Sequence, residues 1–371
     1  MKVISLQQAR EYRSSEGVYF SRIWGILWRT AFGLALALTS GELICRQLFF
    51  SPSVFDKQEG WGFAPGATVV CRTEGAAKGH WDEHGVRRSR TSGGSNERPI
   101  LVLGDSFTEA LQVDDAAVYT AQVEQLISKA GIARRVINVS KSGNSLADYV
   151  ANAAHYRQLF DPIWTVVQIG DLDCVQEAWD GSGASFMMDP VEKSLRIKKA
   201  SYLDPRDRGL LRTLAYEASI HSALFAYSLK RSQDLKEWWL AEPPMFNASG
   251  AKPRGRITER KDYPIERELE MLRGAYSDRL TILYTTPFYS PTLSQPASEV
   301  DTRLKAFARS KRISVIWLSD MYKRMAEENA AANGFANTRP FKGHWNETGH
   351  KEIAKLLAAE LIRIRDTNGV F

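Results

Sequence analysis

Residues 100–115 read ILVLGDSFTEALQVDD. Four apolar residues, Ile100 to Leu103, run into Gly104-Asp105-Ser106 and then into an acid-flanked helical pattern. An apolar run this short, closed by a glycine, suits a buried strand and nothing longer. A small hydroxyl side chain therefore stands where a strand becomes a helix. Two readings compete for Ser106. It is an ordinary helix-capping serine, or it is a nucleophile displayed at a helix N-terminus, where the partial positive dipole favours a developing anion. Gly104 permits the tight turn, and Asp105 can bond local backbone.

Downstream of this junction the pattern alternates between strand and helix. Ala116 to Ala130 carries helical spacing through Val118, Val123, Leu126 and Ile127, and Gly131 ends it. Arg135–Val139 reads as a second strand, SLADYVANAAHYRQLF (residues 145–160) as a second helix, and Trp164–Ile169 as a third strand. RLTILYTTPF (279–288) and RISVIWLSDMY (312–322) read as strands four and five, with a helix around Asp301–Lys311 between them. Such alternation with apolar strands implies a parallel sheet covered on both faces. Residues 175–263 interrupt it with an insertion, containing the amphipathic LLRTLAYEASIHSALFAYSLK and the Trp-rich EWWLAEPPMF. The insertion follows a strand's C-terminal end, the edge where open α/β sheets bind ligands. It is read equally as a lid, a substrate platform or a packing module. Trp238 and Trp239 suit a sugar ring, or buried anchoring.

A nucleophilic serine needs a base. The matching feature lies in GHWNETGHKEIAKLLAAEL (343–361), where Gly343 and His344 precede a helix. His344 and His350 are six residues apart, not the i, i+4 spacing of a helical metal pair. His350 reads as structural, and Trp345 and Asn346 as fixing the His344 loop.

With 371 residues, 44% hydrophobic and 25% charged, the chain has the composition of a globular protein. Its net charge of +6 is scattered, which gives no support for nucleic-acid binding. No Gly-x-Gly-x-x-Gly follows the first strand, which disfavours a dinucleotide enzyme. Ile23–Ile44 is a 22-residue apolar stretch broken only by Arg29 and Glu42, long enough to cross roughly 30 Å of hydrocarbon. Trp24 and Trp28 suit an interfacial belt, and Lys2, Arg10, Arg13 and Arg22 bias the N-terminus toward the cytoplasm. A single-pass signal anchor with an exported remainder is expected, against a buried soluble helix as the alternative. Cys45, Cys71 and Cys174 have neither metal-ligand spacing nor the density of a disulfide scaffold; unpaired thiols are expected, with a Cys71–Cys174 bridge left open.

The LGDSFTEA and GHWNETGH blocks, with the lead-in GWGFAPG and HGVR, resemble the SGNH hydrolase (GDSL-type esterase) superfamily, in its membrane-anchored bacterial branch. The resemblance runs from the anchor to about residue 360. It implies a three-layer α/β/α, flavodoxin-like fold with a five-stranded parallel sheet: an anchor over 1–50, a lead-in over 51–98, and the hydrolase-like domain over 99–371. It implies Ser106 as nucleophile and His344 as general base, with the backbone N–H groups of Ser106 and Gly143 as oxyanion hole. The family's Gly-x-Asn-Asp is here Gly170-Asp171-Leu172-Asp173, and the Asp usually found two or three residues before the histidine is replaced by Lys342 or Phe341. Asn144 is the candidate substitute amide donor. A backbone carbonyl, Asp171 or Asp173 would orient the imidazole, with Asp173 better suited to holding loop geometry and Asp105 supporting. No metal or organic cofactor is implied.

The activity implied is that of an exported serine esterase or acyltransferase on O-acyl groups, acetyl above all, of a cell-envelope or secreted polysaccharide. Location in the inner membrane with a periplasmic catalytic domain goes with it, as do polysaccharide-biosynthesis partners. Two other readings are a catalytically degenerate glycan-binding or assembly component, and a membrane-proximal lipid esterase using Leu211–Lys230 as an interfacial helix.

Overall fold

The computed structural model describes residues 6–57, 59–87, 97–175, 184–189, 192, 194–198, 204–240, 264–277, 279–285, 298–339 and 341–371. Helix α1 (Leu6–Leu48) leads into two antiparallel hairpins, β1 (Ser53–Asp56) with β2 (Gly60–Phe63) and β3 (Thr68–Cys71) with β4 (Ala77–His80). The alternating part opens with β5 (Ile100–Leu103), α2 (Ser106–Glu109), α3 (Tyr119–Lys129) and β6 (Val136–Asn138). It continues with α4 (Leu146–Ala151), α5 (Ala153–Phe160), β7 (Trp164–Gly170) and α6 (Asp171–Val175). The insertion supplies a hairpin, β8 (Ser185–Met188) with β9 (Leu195–Lys198), then α7 (Leu210–His221) and α8 (Ala223–Leu240). The chain closes with α9 (Ile265–Ala275), β10 (Leu280–Thr285), α10 (Glu299–Lys311), β11 (Ser314–Trp317), α11 (Leu318–Glu327) and α12 (Glu347–Asn368).

Five strands form one parallel sheet in the order β11-β10-β7-β5-β6. Numbered along the chain this is the flavodoxin-like order 2-1-3-4-5. Both faces are covered, and side-chain alternation sorts each strand between two cores. Leu101 and Leu103 enter one with Tyr149, Ile169, Leu269 and Leu304, beneath α4, α9 and α10. Ile100 and Val102 enter the other with Val123, Ile127, Leu357 and Leu361, beneath α3 and α12. Every residue of β5, β6, β7 and β10 is buried. At roughly 1.5–3 kcal/mol per buried aliphatic side chain, these strands supply most of what holds the sheet.

Two elements depart from the periodicity. The apolar run after Lys311 is strand only through Trp317; from Leu318 it turns into α11, whose Leu318, Met321, Tyr322 and Met325 pack on the second core. An apolar run does not by itself distinguish a buried strand from a buried helix face. The second helix is broken at Asn152, which ends α4 and begins α5. Residues 241–246 of the Trp-rich segment lie outside the described residues, as do the side chains of Trp238 and Trp239. All three cysteines are free.

Within α1, Arg22–Leu48 is long and apolar enough to cross a membrane, and its apolar window is not buried by the rest of the chain. The lead-in packs on the domain. Arg87 forms bridge pairs with Trp81 and with Asn138 of β6, so the lead-in is laid against the sheet's β6 edge.

Candidate active site

Ser106 is the first residue of α2, beyond the carboxyl end of β5, with Asp105 as N-cap accepting from the Phe107 N–H at 2.9 Å. Gly104 makes the turn because nothing larger fits: a Cβ there would collide with the Thr108 hydroxyl and the Gln168 amide oxygen. The Gln168 oxygen in turn accepts from Asp105 N at 3.1 Å and Thr108 Oγ1 at 3.2 Å, tying the start of α2 to the neighbouring strand β7. Ser106 itself is half-buried.

His344 reaches this serine from the loop before α12. Its Nε2 lies 2.9 Å from Ser106 Oγ. The loop is fixed by Trp345, wholly buried with its indole N–H donating to Tyr322 Oη at 2.6 Å, and by Asn346, which caps α12 by accepting from Gly349 N at 3.0 Å. The Asn333 amide donates to Gly343 O at 2.8 Å. His350 is buried at the start of α12, and its Nδ1 accepts from Tyr119 N at 3.3 Å.

The group orienting His344 is Glu74, from the turn between β3 and β4. Its Oε2 is 2.6 Å from His344 Nδ1 and its Oε1 accepts the His344 backbone N–H at 2.6 Å. A carboxylate can only accept from Nδ1–H, which leaves Nε2 free to take the serine proton. Gly343 allows this approach: its φ is +79°, and a Cβ there would overlap the Glu74 carboxylate. The turn is held over the site by Asn337, whose Oδ1 accepts from Gly75 N at 2.8 Å and whose Nδ2 donates to Gly75 O at 3.0 Å. This corrects the expectation for the acid. Asp173 accepts from Gly170 N at 2.7 Å and so shapes the end of β7. Asp171 accepts from the Tyr284 hydroxyl. Among the described residues no backbone carbonyl takes the Nδ1 proton, and Lys342 is exposed.

The loop after β6 lies beside α2. Lys141 N donates to Gly104 O at 3.1 Å, and buried Glu109 accepts from both Ser142 N, at 2.9 Å, and the Ser142 hydroxyl. Burial raises the Glu109 pKa, offset in part by these bonds and by Arg87. Gly143 follows with φ +87°, and among the described residues neither its N–H nor that of Ser106 makes a hydrogen bond. Asn144 is half-buried; its N–H donates to Lys141 O at 3.1 Å, while its side chain bonds nothing among the described residues. Burial pushes the Asp105 pKa up to about 6, against the Phe107 N–H bond and the nearby His344, which favour its anion. Among the described residues, no group of three or more His, Cys, Asp or Glu could hold a metal ion.

Arg87 braces the far end of α2. Its buried guanidinium donates to Glu109 O at 2.7 Å, to Ala110 O, to Val113 O at 2.7 Å, and to Asp115 Oδ1 at 3.0 Å. Arg87→Met removes every one of these donors; among the described residues it leaves the Glu109 and Val113 carbonyls unpartnered, while Ala110 O keeps the Val113 N–H and Asp115 keeps His80. Urea unfolding is expected to show a loss of about 3 kcal/mol or more; a change under about 1 kcal/mol would show that the brace is dispensable.

His350 yields a pH prediction. Burial first, then the Arg87 and His344 charges, lower its pKa from 6.5 to about 3. Between those values the unfolded chain binds the proton and the folded one does not. The stability from the neutral imidazole is therefore present above pH 6.5 and drains as pH falls toward 3. Relative to His350→Gln, the wild-type chain should lose about 1.4 kcal/mol per pH unit across that window, read from paired unfolding curves. Parallel curves would contradict it.

No protein-family model matches the chain, and no curated protein does. Among solved structures, a lipase/acylhydrolase from Enterococcus faecalis is similar at 14% identity, over 72% of this chain and 96% of its own, with TM-score 0.38. A catalytic mutant of an acetylxylan esterase from Geobacillus stearothermophilus is similar at 16% identity, over 73% and 96%, with TM-score 0.37. An alpha/beta hydrolase enzyme from the metagenome of Lake Arreo is similar at 14%, over 71% and 94%, with TM-score 0.38. At TM-scores this low these likenesses carry no weight for the chemistry, which rests on the hydrogen bonds above.

Proposed function

We propose that the protein is a membrane-anchored serine esterase or acyltransferase that removes or transfers O-acyl groups, of acetyl size, on a cell-envelope or secreted polysaccharide. The observation that carries this reading is the continuous relay from Ser106 Oγ to His344 Nε2, 2.9 Å, and from His344 Nδ1 to Glu74 Oε2, 2.6 Å. A serine hydroxyl is a poor nucleophile until an imidazole takes its proton. Here Ser106 attacks the acyl carbonyl as His344 accepts that proton, and the Glu74 carboxylate stabilises the imidazolium. The oxyanion that forms is served by the N–H groups of Ser106 and Gly143, which bond nothing among the described residues, each donor contributing about 3 kcal/mol. His344 then returns the proton to the departing alkoxide, leaving an acyl group on Ser106 that water or a sugar hydroxyl removes.

A complete relay supports an active centre over a degenerate one. The polysaccharide and the acetyl group are supported by the sequence resemblance, and the periplasmic placement by the basic bias ahead of α1. The test is purified full-length protein with acetylated polysaccharides and with p-nitrophenyl esters of rising chain length. Acetate release, Ser106 labelling by a fluorophosphonate and a preference for acetyl over decanoyl esters are expected. No labelling and no acetate would return the reading to a glycan-binding component, and a decanoyl preference would turn it to lipids.

A further inference from the structure

Helix α7 carries the most exposed leucines of the described chain outside α1, with Leu210, Leu211 and Leu214 at 73%, 82% and 56% exposure. They share one corner of the helix (i, i+1, i+4). Monomeric soluble domains seldom leave such a cluster uncovered. What covers it follows from how α7 is attached. The Glu42 carboxylate of α1 accepts Ala223 N at 3.0 Å, Leu224 N at 2.9 Å and Ser222 Oγ at 2.8 Å, capping α8. Arg46 pairs with Glu42 at 2.7 Å and donates to His221 O, the last residue of α7. The corner between α7 and α8 is thus bonded to the last turns of the helix that is long enough to span a bilayer.

Only Ser222 separates the two helices, in extended conformation (φ −121°, ψ 116°). Antiparallel helix neighbours need a loop of about 2–5 residues, so α7 departs from α8 at a corner. Phe49 stacks on Tyr227 at 4.8 Å, so α8 runs beside the end of α1. Beside α7 stands Trp61, half exposed and edge-on to Tyr216 at 5.7 Å, a residue suited to the headgroup level. Arg208 and Arg212 are exposed and make no ion pair among the described residues. Apolar side chains flanked by free arginines are the pattern of a helix lying in an anionic bilayer surface.

We propose that α7 lies in the headgroup region of the membrane that α1 crosses, with Leu210, Leu211 and Leu214 in the acyl boundary and Arg208 and Arg212 on anionic lipid headgroups. The hydrolase-like domain is then docked against the bilayer at two points rather than swinging on a single stalk. This rests on α1 spanning the membrane, not on the chemistry of Ser106.

The test uses the full chain in nanodiscs of phosphatidylcholine and phosphatidylglycerol. A bimane label is placed at Leu211→Cys, in a Cys71→Ser background because Cys45 and Cys174 are buried. Lipid carrying a doxyl group at acyl carbon 5 should quench this label at least about threefold more than aqueous iodide does. Dominant iodide quenching, meaning a solvent-facing helix, overturns the proposal. Quenching by neither agent, meaning a protein-covered face, overturns it as well. The same label at Leu36→Cys, read with a doxyl group at carbon 12, reports the span separately. If Leu36 is reached by iodide, the spanning reading itself fails; if Leu36 is quenched by lipid and Leu211 is not, only the docking of α7 fails.

Discussion

Ser106→Ala abolishes ester turnover, with kcat falling by about a millionfold, to the level left by binding and oxyanion donors alone. The expectation follows from the geometry: no second hydroxyl lies within hydrogen-bonding distance of His344 Nε2 among the described residues, so no other group can inherit the role. The fold should not notice the change. Ser106 begins a four-residue helix whose cap is the Asp105 side chain, and the sheet beneath it is unaltered. The measurement is single-turnover kinetics on p-nitrophenyl acetate beside a thermal unfolding curve. A variant that unfolds at the wild-type temperature and keeps even a hundredth of the turnover would remove Ser106 from the chemistry.

Glu74→Gln is the second large effect, and the more discriminating one. The amide is nearly the same size and can still sit between the His344 backbone N–H and Nδ1. It no longer provides a charge to stabilise the imidazolium, and its NH2 favours the wrong imidazole tautomer. A fall of about a thousand- to ten-thousandfold in kcat is expected with little change in KM, because the group acts in the transition state and not on bound substrate. Asp171→Asn and Asp173→Asn, measured in parallel, should each stay within about tenfold of wild type, unless loop geometry at the end of β7 is lost. If Glu74→Gln stays within tenfold while an Asp171 variant loses activity, the relay has been assigned to the wrong carboxylate. Gly343→Ala should mimic the Glu74 variants, since its methyl group occupies the space of the carboxylate.

The frame of this protein was readable from one dimension because its signals are local. Ile100–Leu103 closed by Gly104, the helical spacing from Val118 to Ile127 and the apolar run from Trp164 each state their own element. Their alternation leaves few topologies, since parallel crossovers share one hand. Ser106 and His344 were legible for a related reason: each belongs to a compact block, and each block sits where a strand or loop delivers a helix. Signals that were ambiguous locally misled locally. The run after Lys311 is apolar throughout, and only packing under α12 decides that Ser314–Trp317 extends while Leu318–Glu327 coils.

Glu74 had no such signal. It lies 270 positions from His344, in a lead-in rich in Gly, Pro, Ser and charge where no motif marks a carboxylate. The lead-in completes the centre three times over: Glu74 meets the imidazole, Arg87 braces α2, and the Glu59 carbonyl accepts from Lys141 Nζ at 2.6 Å behind the Gly143 loop. The Asn337–Gly75 pair that fixes the hairpin is likewise a contact between distant segments.

By itself the amino-acid order determined the strand–helix alternation, the apolar helix near the N-terminus and the two blocks that carry a hydroxyl and an imidazole. These are written in periodicity and in residue types within a few positions of one another, and the backbone reads them through short-range sterics and burial. Only the tertiary structure decided which carboxylate faces His344 Nδ1, that Gly343 must lack a side chain to admit it, and that α7 is bonded to the end of α1. Those facts depend on distances between segments 175 to 270 residues apart. Such distances come from packing the whole chain at once, and no local spacing encodes them.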